Sequence, residues 1–166
     1  MLIRGINDDD GKGGFSCGVP ALDHYLASRA WTNELIGISR TYVLVDHAAS
    51  TDVMGFYTLS ARSIESSMLT GLYAKRLPKY PVPVLYIGMF GVSVRVQRRG
   101  LGVVLMRDAL NRCLAASEEI GAMGIYLDSL DAKSTAFYDA LGFEAVGAVG
   151  EPQPMFLSMA TLRQAG

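Results

Sequence analysis

The chain has 166 residues, 50% hydrophobic and 19% charged, with a formal net charge of -1. That length suits one ordinary domain of roughly 100–200 residues, and the apolar content excludes a disordered chain, which has too little surface to bury. Two cysteines, Cys17 and Cys113, exclude a disulfide-dense scaffold and a four-cysteine zinc site, and two histidines, His24 and His47, leave little for another metal cage. The start turns acidic at Asp8-Asp9-Asp10, where a signal peptide needs an apolar core. The longest apolar stretch, Val82 to Val96, is cut by Pro83, Gly88 and Gly91. It falls short of the ~20 residues that span a bilayer. The expectation is a single domain over residues 1–166, in the cytoplasm, with no membrane partner and no metal.

In chain order, Phe15 to Gly18 reads as a turn. Pro20 suits a helix start, where its missing N–H is not needed. Leu22, Tyr25, Leu26 and Ala30 follow at helical spacing. Thr41 to Val45 and Val53 to Ser60 read as strands joined by a polar turn, and Ser63 to Ser67 as an extension of the sheet. Leu69 to Arg76 is predicted as a short helix, and Pro78, Pro81 and Pro83 as an extended connection. Val84 to Val94 reads as a central strand buried on both faces. The next helix has Val103, Met106, Ala109, Leu110, Cys113 and Leu114 on one face and ends near Gly121. A strand over Met123 to Leu127 precedes a helix over Ala132 to Leu141, capped by Asp131 and stopped by Gly142. Phe143 to Val149 and Met155 to Met159 are closing strands. This order, a helix, a run of strands and then βαβαβ, predicts an α/β fold with a mixed sheet flanked by helices.

Charge is unevenly placed. Between Glu65 and Asp108 there is no acidic residue, while Lys75, Arg76, Lys79, Arg95, Arg98, Arg99 and Arg107 all fall there. A basic middle between acidic ends suits an anionic ligand, although folding can also average such charge away. The glycines tip the balance. In Gln97-Arg98-Arg99-Gly100-Leu101-Gly102 a buried strand leads through two glycines into a long helix. Free N–H groups and the dipole at a helix start attract anions, and glycine lets the backbone close on a phosphate. No Gly-Lys-Ser/Thr follows, so this is not a Walker loop, and the third glycine of a Rossmann fingerprint is missing.

This hexapeptide resembles the Q/R-x-x-G-x-G/A signature of the GNAT N-acetyltransferases, and Phe137-Tyr138 with Leu141-Gly142-Phe143 resembles their F-Y-x-x-x-G-F element. The resemblance implies the GNAT fold and acetyl-CoA as cosubstrate. It implies a pyrophosphate held by Gln97, Arg98, Arg99, Gly100, Leu101 and Gly102, with Val92 and Val94 on the strand beside the donor, and Tyr138 near the CoA sulfur. A narrower resemblance runs through Phe15-Ser16-Cys17-Gly18, Gly37 to Val43, Gly55 to Ser60 and Leu77 to Val84. These segments are similar to the GNAT toxins of toxin–antitoxin pairs. Such toxins acetylate the α-amino group of aminoacyl-tRNA, block translation, and are neutralised by a ribbon-helix-helix antitoxin. The chain departs from them at Met89-Phe90-Gly91-Val92-Ser93, where they carry an arginine and then Ala-Val-Asp.

Acetyl transfer needs a neutral amine, a polarised thioester carbonyl and a proton for the leaving thiolate. Backbone N–H groups from Phe90 to Val94 suit the second need, and the Tyr138 phenol suits the third. Without the motif, Tyr138 would read as a core aromatic. A lysine amine, with a pKa near ~10.4, usually needs a base, whereas an α-amine near ~7.7–8.0 is already partly neutral. The central strand has no Asp, Glu or His, which fits an α-amino acceptor; a carboxylate from elsewhere, such as Asp128, or a water relay would serve either acceptor. Lys75, Arg76, Lys79 and Arg95 are candidate contacts to tRNA phosphates. An acetyltransferase for a small amine or protein N-terminus, and a CoA- or protein-binding module without turnover, remain alternatives. A homodimer is compatible with the sequence. Cys113 reads as a packing residue, Cys17 as structural before reactive, Trp31 as a core residue before a stacking surface for RNA, and Asp23 as a brace for the Phe15–Gly18 turn.

Overall fold

The structure, a computed structural model, describes residues 1–69 and 75–166. The elements are β1 (Leu2–Gly5), α1 (Pro20–Ser28), α2 (Ala30–Leu35), β2 (Arg40–Val45), β3 (Gly55–Ile64), a 3-10 turn (Ser66–Met68), β4 (Val82–Val92), α3 (Leu101–Glu119), β5 (Gly124–Ser129), α4 (Ala132–Ala140), β6 (Glu144–Ala145), β7 (Gln153–Ser158) and α5 (Met159–Ala165). Among the described residues the strands form a seven-stranded sheet in the order β1-β2-β3-β4-β5-β7-β6. The sheet is mixed, as expected: β4 and β5 run parallel, while β1–β2, β2–β3, β5–β7 and β6–β7 are antiparallel. The predicted helix over Leu69 to Arg76 falls largely outside the described residues. Among the described residues no helix is long and apolar enough to cross a membrane.

The chain divides into two compact units. The first comprises residues 1–60 and 87–111. Its core joins Leu22, Leu26 and Ala30 of the helices to Val43, Val45 and Phe56 of the strands, with Cys17 among them and Trp31 packed alongside. The single helix expected from Pro20 onward is two, because Arg29 leaves helical geometry at φ -120°. β1 has no counterpart among the sequence-based expectations. Four residues carry too little alternation to signal a strand, and Leu2 to Gly5 gain their order by pairing with Val45 to Tyr42. Gly55 has a packing reason: a Cβ there would sit 2.6 Å from Leu105 Cδ1 and 3.1 Å from the Gly91 carbonyl.

The second unit comprises residues 61–86 and 112–166. One cluster gathers Ile64, Leu69, Val82, Val84, Tyr126, Val146 and Phe156. α4 begins as the sequence predicts. Asp131 Oδ1 accepts the Ser134 N–H at 2.8 Å and Ser134 Oγ accepts the Asp131 N–H at 3.0 Å, a reciprocal cap. The Ser134 backbone bond, chiefly, holds the Asp131 carboxyl below its ordinary pKa. The first closing strand is shorter than expected, only Glu144–Ala145, and α5 begins at Met159, the residue on which the sequence pattern ends the last strand. Ser158 Oγ caps α5 by accepting the Thr161 N–H at 3.0 Å. Two burial expectations also change. β4 is mostly half-buried rather than buried on both faces. α3 buries Leu105, Met106, Ala109 and Cys113 completely, but Val103 is 41% exposed.

Candidate active site

In the first unit, β4 runs into a braced loop. The Ser93 N–H donates to the Met54 carbonyl and the Val94 N–H to the Ser16 carbonyl, both at 2.8 Å. Val94 is therefore no backbone donor for a thioester carbonyl, although its side chain stays 52% exposed. Gln97 is also redirected. Its side-chain amide donates to the Val92 carbonyl at 2.8 Å and the Cys17 carbonyl at 3.0 Å, so it ties the loop down instead of presenting donors outward. Asp23 braces the neighbouring turn, as the sequence suggests, by accepting the Cys17 N–H at 2.8 Å.

Beyond this brace the backbone turns left-handed twice, at Arg98 (φ 62°) and Gly100 (φ 79°). Arg98 is the one non-glycine residue with positive φ among the described residues. Such a residue costs of order ~1–3 kcal/mol and persists where its surroundings impose it. α3 starts at once, with the Val104 N–H bonding the Gly100 carbonyl at 3.2 Å. The N–H groups of Leu101, Gly102 and Val103 precede that ladder and have no intrahelical acceptor. A Cβ on Gly100 would meet nothing within 4 Å, so the space over the loop is open. Arg98 and Arg99 are exposed beside it. Val103 and Val104, 41% and 44% exposed, add an apolar margin, and of the two sequence periodicity assigns Val103 to the core. Outward N–H groups, two guanidinium groups and open space fit a pyrophosphate with an apolar arm.

In the second unit, Tyr138 on α4 is 8% exposed and packs edge-on against Phe137 and Phe143, with ring centroids 5.3 and 5.9 Å away. Burial, and then the Asp131 charge, push its phenol well above the ordinary tyrosine pKa. It stays protonated through the neutral range and has a proton to give there. The same unit holds a cluster of which sequence reasoning finds only Asp128. Tyr86 and Tyr126 each donate a phenol O–H to Asp128, both at 3.3 Å, and Arg62 lies over both rings. The available sequence signal is the i, i+2 spacing of Tyr126 and Asp128, which puts both on one face of a strand.

Of the candidate tRNA contacts, Lys75, Arg76 and Lys79 are exposed and make no ion pair among the described residues. Arg95 differs: its guanidinium is paired with Asp52 at 2.5 Å. Cys17 and Cys113 are buried, and burial pushes their thiols up to about 11 and about 12. Neither is a thiolate at neutral pH. At pH 8, iodoacetamide is expected to label neither cysteine of the folded protein in the time that labels both after denaturation, read by intact mass. Cys17 alkylation at the rate of a free thiol would contradict its packing role.

The Acetyltransferase (GNAT) family matches residues 18–143. The chain belongs to the GNAT acetyltransferase family. As a GNAT enzyme it transfers an acetyl group from acetyl-CoA to an amine. It is 38% identical over 141 residues to a tRNA-acetylating toxin of Mycobacterium tuberculosis, covering 85% of this chain and 82% of that protein. Its fold is similar to that of AtaT complexed with acetyl-methionyl-tRNAfMet, with a TM-score of 0.90, 25% identity, and coverage of 99% of this chain and 98% of AtaT. AtaTR bound with acetyl-CoA is similar as well, with a TM-score of 0.84, 25% identity, and coverage of 99% and 96%.

Proposed function

We propose that this GNAT enzyme acetylates the α-amino group of aminoacyl-tRNA, and is a toxin that blocks translation until a ribbon-helix-helix antitoxin binds it. The observation that carries this reading is the 38% identity to a tRNA-acetylating toxin, sustained over 85% of the chain. The family match crosses both compact units, which supports reading them as one catalytic domain. A cytoplasmic location belongs to the same reading, because charged tRNA is found there.

Acetyl-CoA supplies an activated acetyl thioester. The backbone N–H groups from Arg98 to Gly102 hold its pyrophosphate, with the Arg98 and Arg99 guanidinium groups adding charge. Gln97 serves from behind, by fixing the loop to Val92 and Cys17. Tyr138 donates its proton to the leaving sulfur, a role that suits a phenol kept protonated by burial. β4 carries no Asp, Glu or His, so the strand itself offers no base to a fully protonated lysine. An α-amine is partly neutral near pH ~7.7–8.0 and needs less help.

The deciding experiment is transfer of labelled acetyl to a pool of charged tRNA, followed by identification of the acetylated aminoacyl ester. Wild-type enzyme that acetylates small amines but no charged tRNA would overturn the tRNA reading. Replacing Lys75, Arg76 and Lys79 together by alanine is expected to impair acetylation of charged tRNA and spare transfer to a small test amine. The log–log salt dependence of tRNA binding should flatten by about 0.7–0.9 for each phosphate that the variant no longer neutralises. Arg95 is left out of this variant because Asp52 already engages it. Unimpaired tRNA acetylation by the triple variant at physiological salt would remove these three residues from the RNA surface.

A further inference from the structure

The cluster around Asp128 is built where the β4–β5 ladder stops. That parallel pairing runs from Val84 opposite Gly124 to Tyr86 opposite Tyr126. Tyr86 and Tyr126 are thus register partners with rings on one face, their centroids 5.9 Å apart. Asp128 follows two residues later on the same face. Arg62, from β3, sets its guanidinium 4.5 Å from the Tyr86 ring centroid and 5.4 Å from that of Tyr126.

The contacts to Asp128 are long. Each phenol O–H reaches one carboxylate oxygen at 3.3 Å, and the Arg62 guanidinium comes no closer than 4.0 Å. A phenol held tightly by a carboxylate sits at about 2.5–2.7 Å. Carboxylates with a structural task in this protein look different. Asp10 takes Arg4 at 2.7 and 2.9 Å and the Asn7 N–H at 2.6 Å, with its side chain fully buried. The Asp128 side chain is instead 28% exposed. Its oxygens retain acceptor capacity, since a carboxylate offers about four lone-pair sites. Arg62 spends its guanidinium on the ring faces and forms no bidentate fork with Asp128. Burial and then the Asp128 charge raise both phenols above their ordinary pKa, so both remain donors. Asp128 is the one carboxylate of the four, and so the strongest acceptor for an N–H.

Resting on the acetyl-transfer reading above, we propose that Asp128 is the subsite for the acceptor's α-amino group, oriented by Tyr86 and Tyr126. The Asp128 carboxylate accepts an N–H of the amine and offsets the positive charge that grows on nitrogen during attack. The nitrogen bonds to the acetyl carbon as the carbon–sulfur bond breaks. One amine proton passes to Asp128 and on to water, and the sulfur takes the Tyr138 proton, which water restores. Among the described residues, the charged or titratable groups that face Asp128 are Arg62 from β3, Tyr86 from β4 and Tyr126 on its own strand. β7 opposes it with Pro154, which does not titrate.

The test compares wild type with Asp128→Asn and Asp128→Glu, each on charged tRNA and on an amino-acid amide. Acetyl-CoA affinity by calorimetry serves as the check on folding. Asp128→Asn is expected to keep that affinity and lower kcat/KM for the acceptor by about 10²-fold, with Asp128→Glu recovering part of the loss. The acid limb of the kcat profile should also move to lower pH in Asp128→Asn, because the bound ammonium loses the carboxylate that stabilises it. An unchanged rate overturns the proposal, and so does a slower rate with an unmoved acid limb, which is the signature of a structural role. If wild type fails on charged tRNA yet acetylates the amide, the tRNA reading falls and the Asp128 comparison is read on the amide.

Discussion

Tyr138→Phe is expected to leave acetyl-CoA affinity nearly unchanged and to slow turnover by about 10²–10⁴-fold, the usual range for a lost general acid. That is about 2.7–5.4 kcal/mol on the barrier. The substitution keeps the ring, and the ring makes the packing: its edge-on contacts to Phe137 and Phe143 involve no hydroxyl. A core aromatic would therefore tolerate the change with little effect on rate. Burial raises the phenol pKa, so its ionisation should not limit wild-type turnover below the ordinary tyrosine value near ~10. The measurement is single-turnover acetyl transfer, where chemistry limits the rate. Unchanged turnover there would return Tyr138 to a packing role.

Gly100→Glu is expected to abolish binding of acetyl-CoA and CoA. Two effects act together. The residue sits at φ 79°, a conformation that side chains with a Cβ resist. A carboxylate would also enter the open space over the loop, where it would compete with the proposed pyrophosphate for the N–H groups and the Arg98 and Arg99 charges. Gly100→Ala separates the two, since it adds the backbone strain, meets no atom within 4 Å and brings no charge. It should weaken binding far less than the glutamate does. Calorimetry showing wild-type affinity in Gly100→Glu would detach the loop from the pyrophosphate.

Several features are legible in the sequence without any fold, and each is local. The helix start at Pro20, the Asp131 cap and the glycine-to-helix junction at Gly100 are written in consecutive residues, because caps and turns depend on a few neighbouring dihedrals and side chains. The apolar rhythm of Met106, Ala109 and Cys113 likewise places one face of α3 against the core. The order of elements, with the two family motifs, is enough to point to the GNAT fold.

Pairings between residues distant in sequence are not legible. β1 exists because β2 lies beside it, about 40 residues on, so Leu2 to Gly5 alone carry no strand signal worth reading. Val103 follows the apolar rhythm of its helix and is nevertheless exposed, because the first turn of α3 borders the loop rather than the core. Gln97 falls in the motif that the resemblance assigns to pyrophosphate, yet its amide donates to the carbonyl of Cys17, 80 residues away. Arg95 and Asp52 pair across 43 positions, which no count of charge along the chain could foresee. Asp128 shows the same limit most clearly. Its partners come from β3, β4 and β5, and only the register of the sheet brings Arg62, Tyr86 and Tyr126 around one carboxylate. Sequence periodicity records which face a residue takes within its own element; which side chain waits on the neighbouring strand is settled by pairing and register, and these form only when the chain closes.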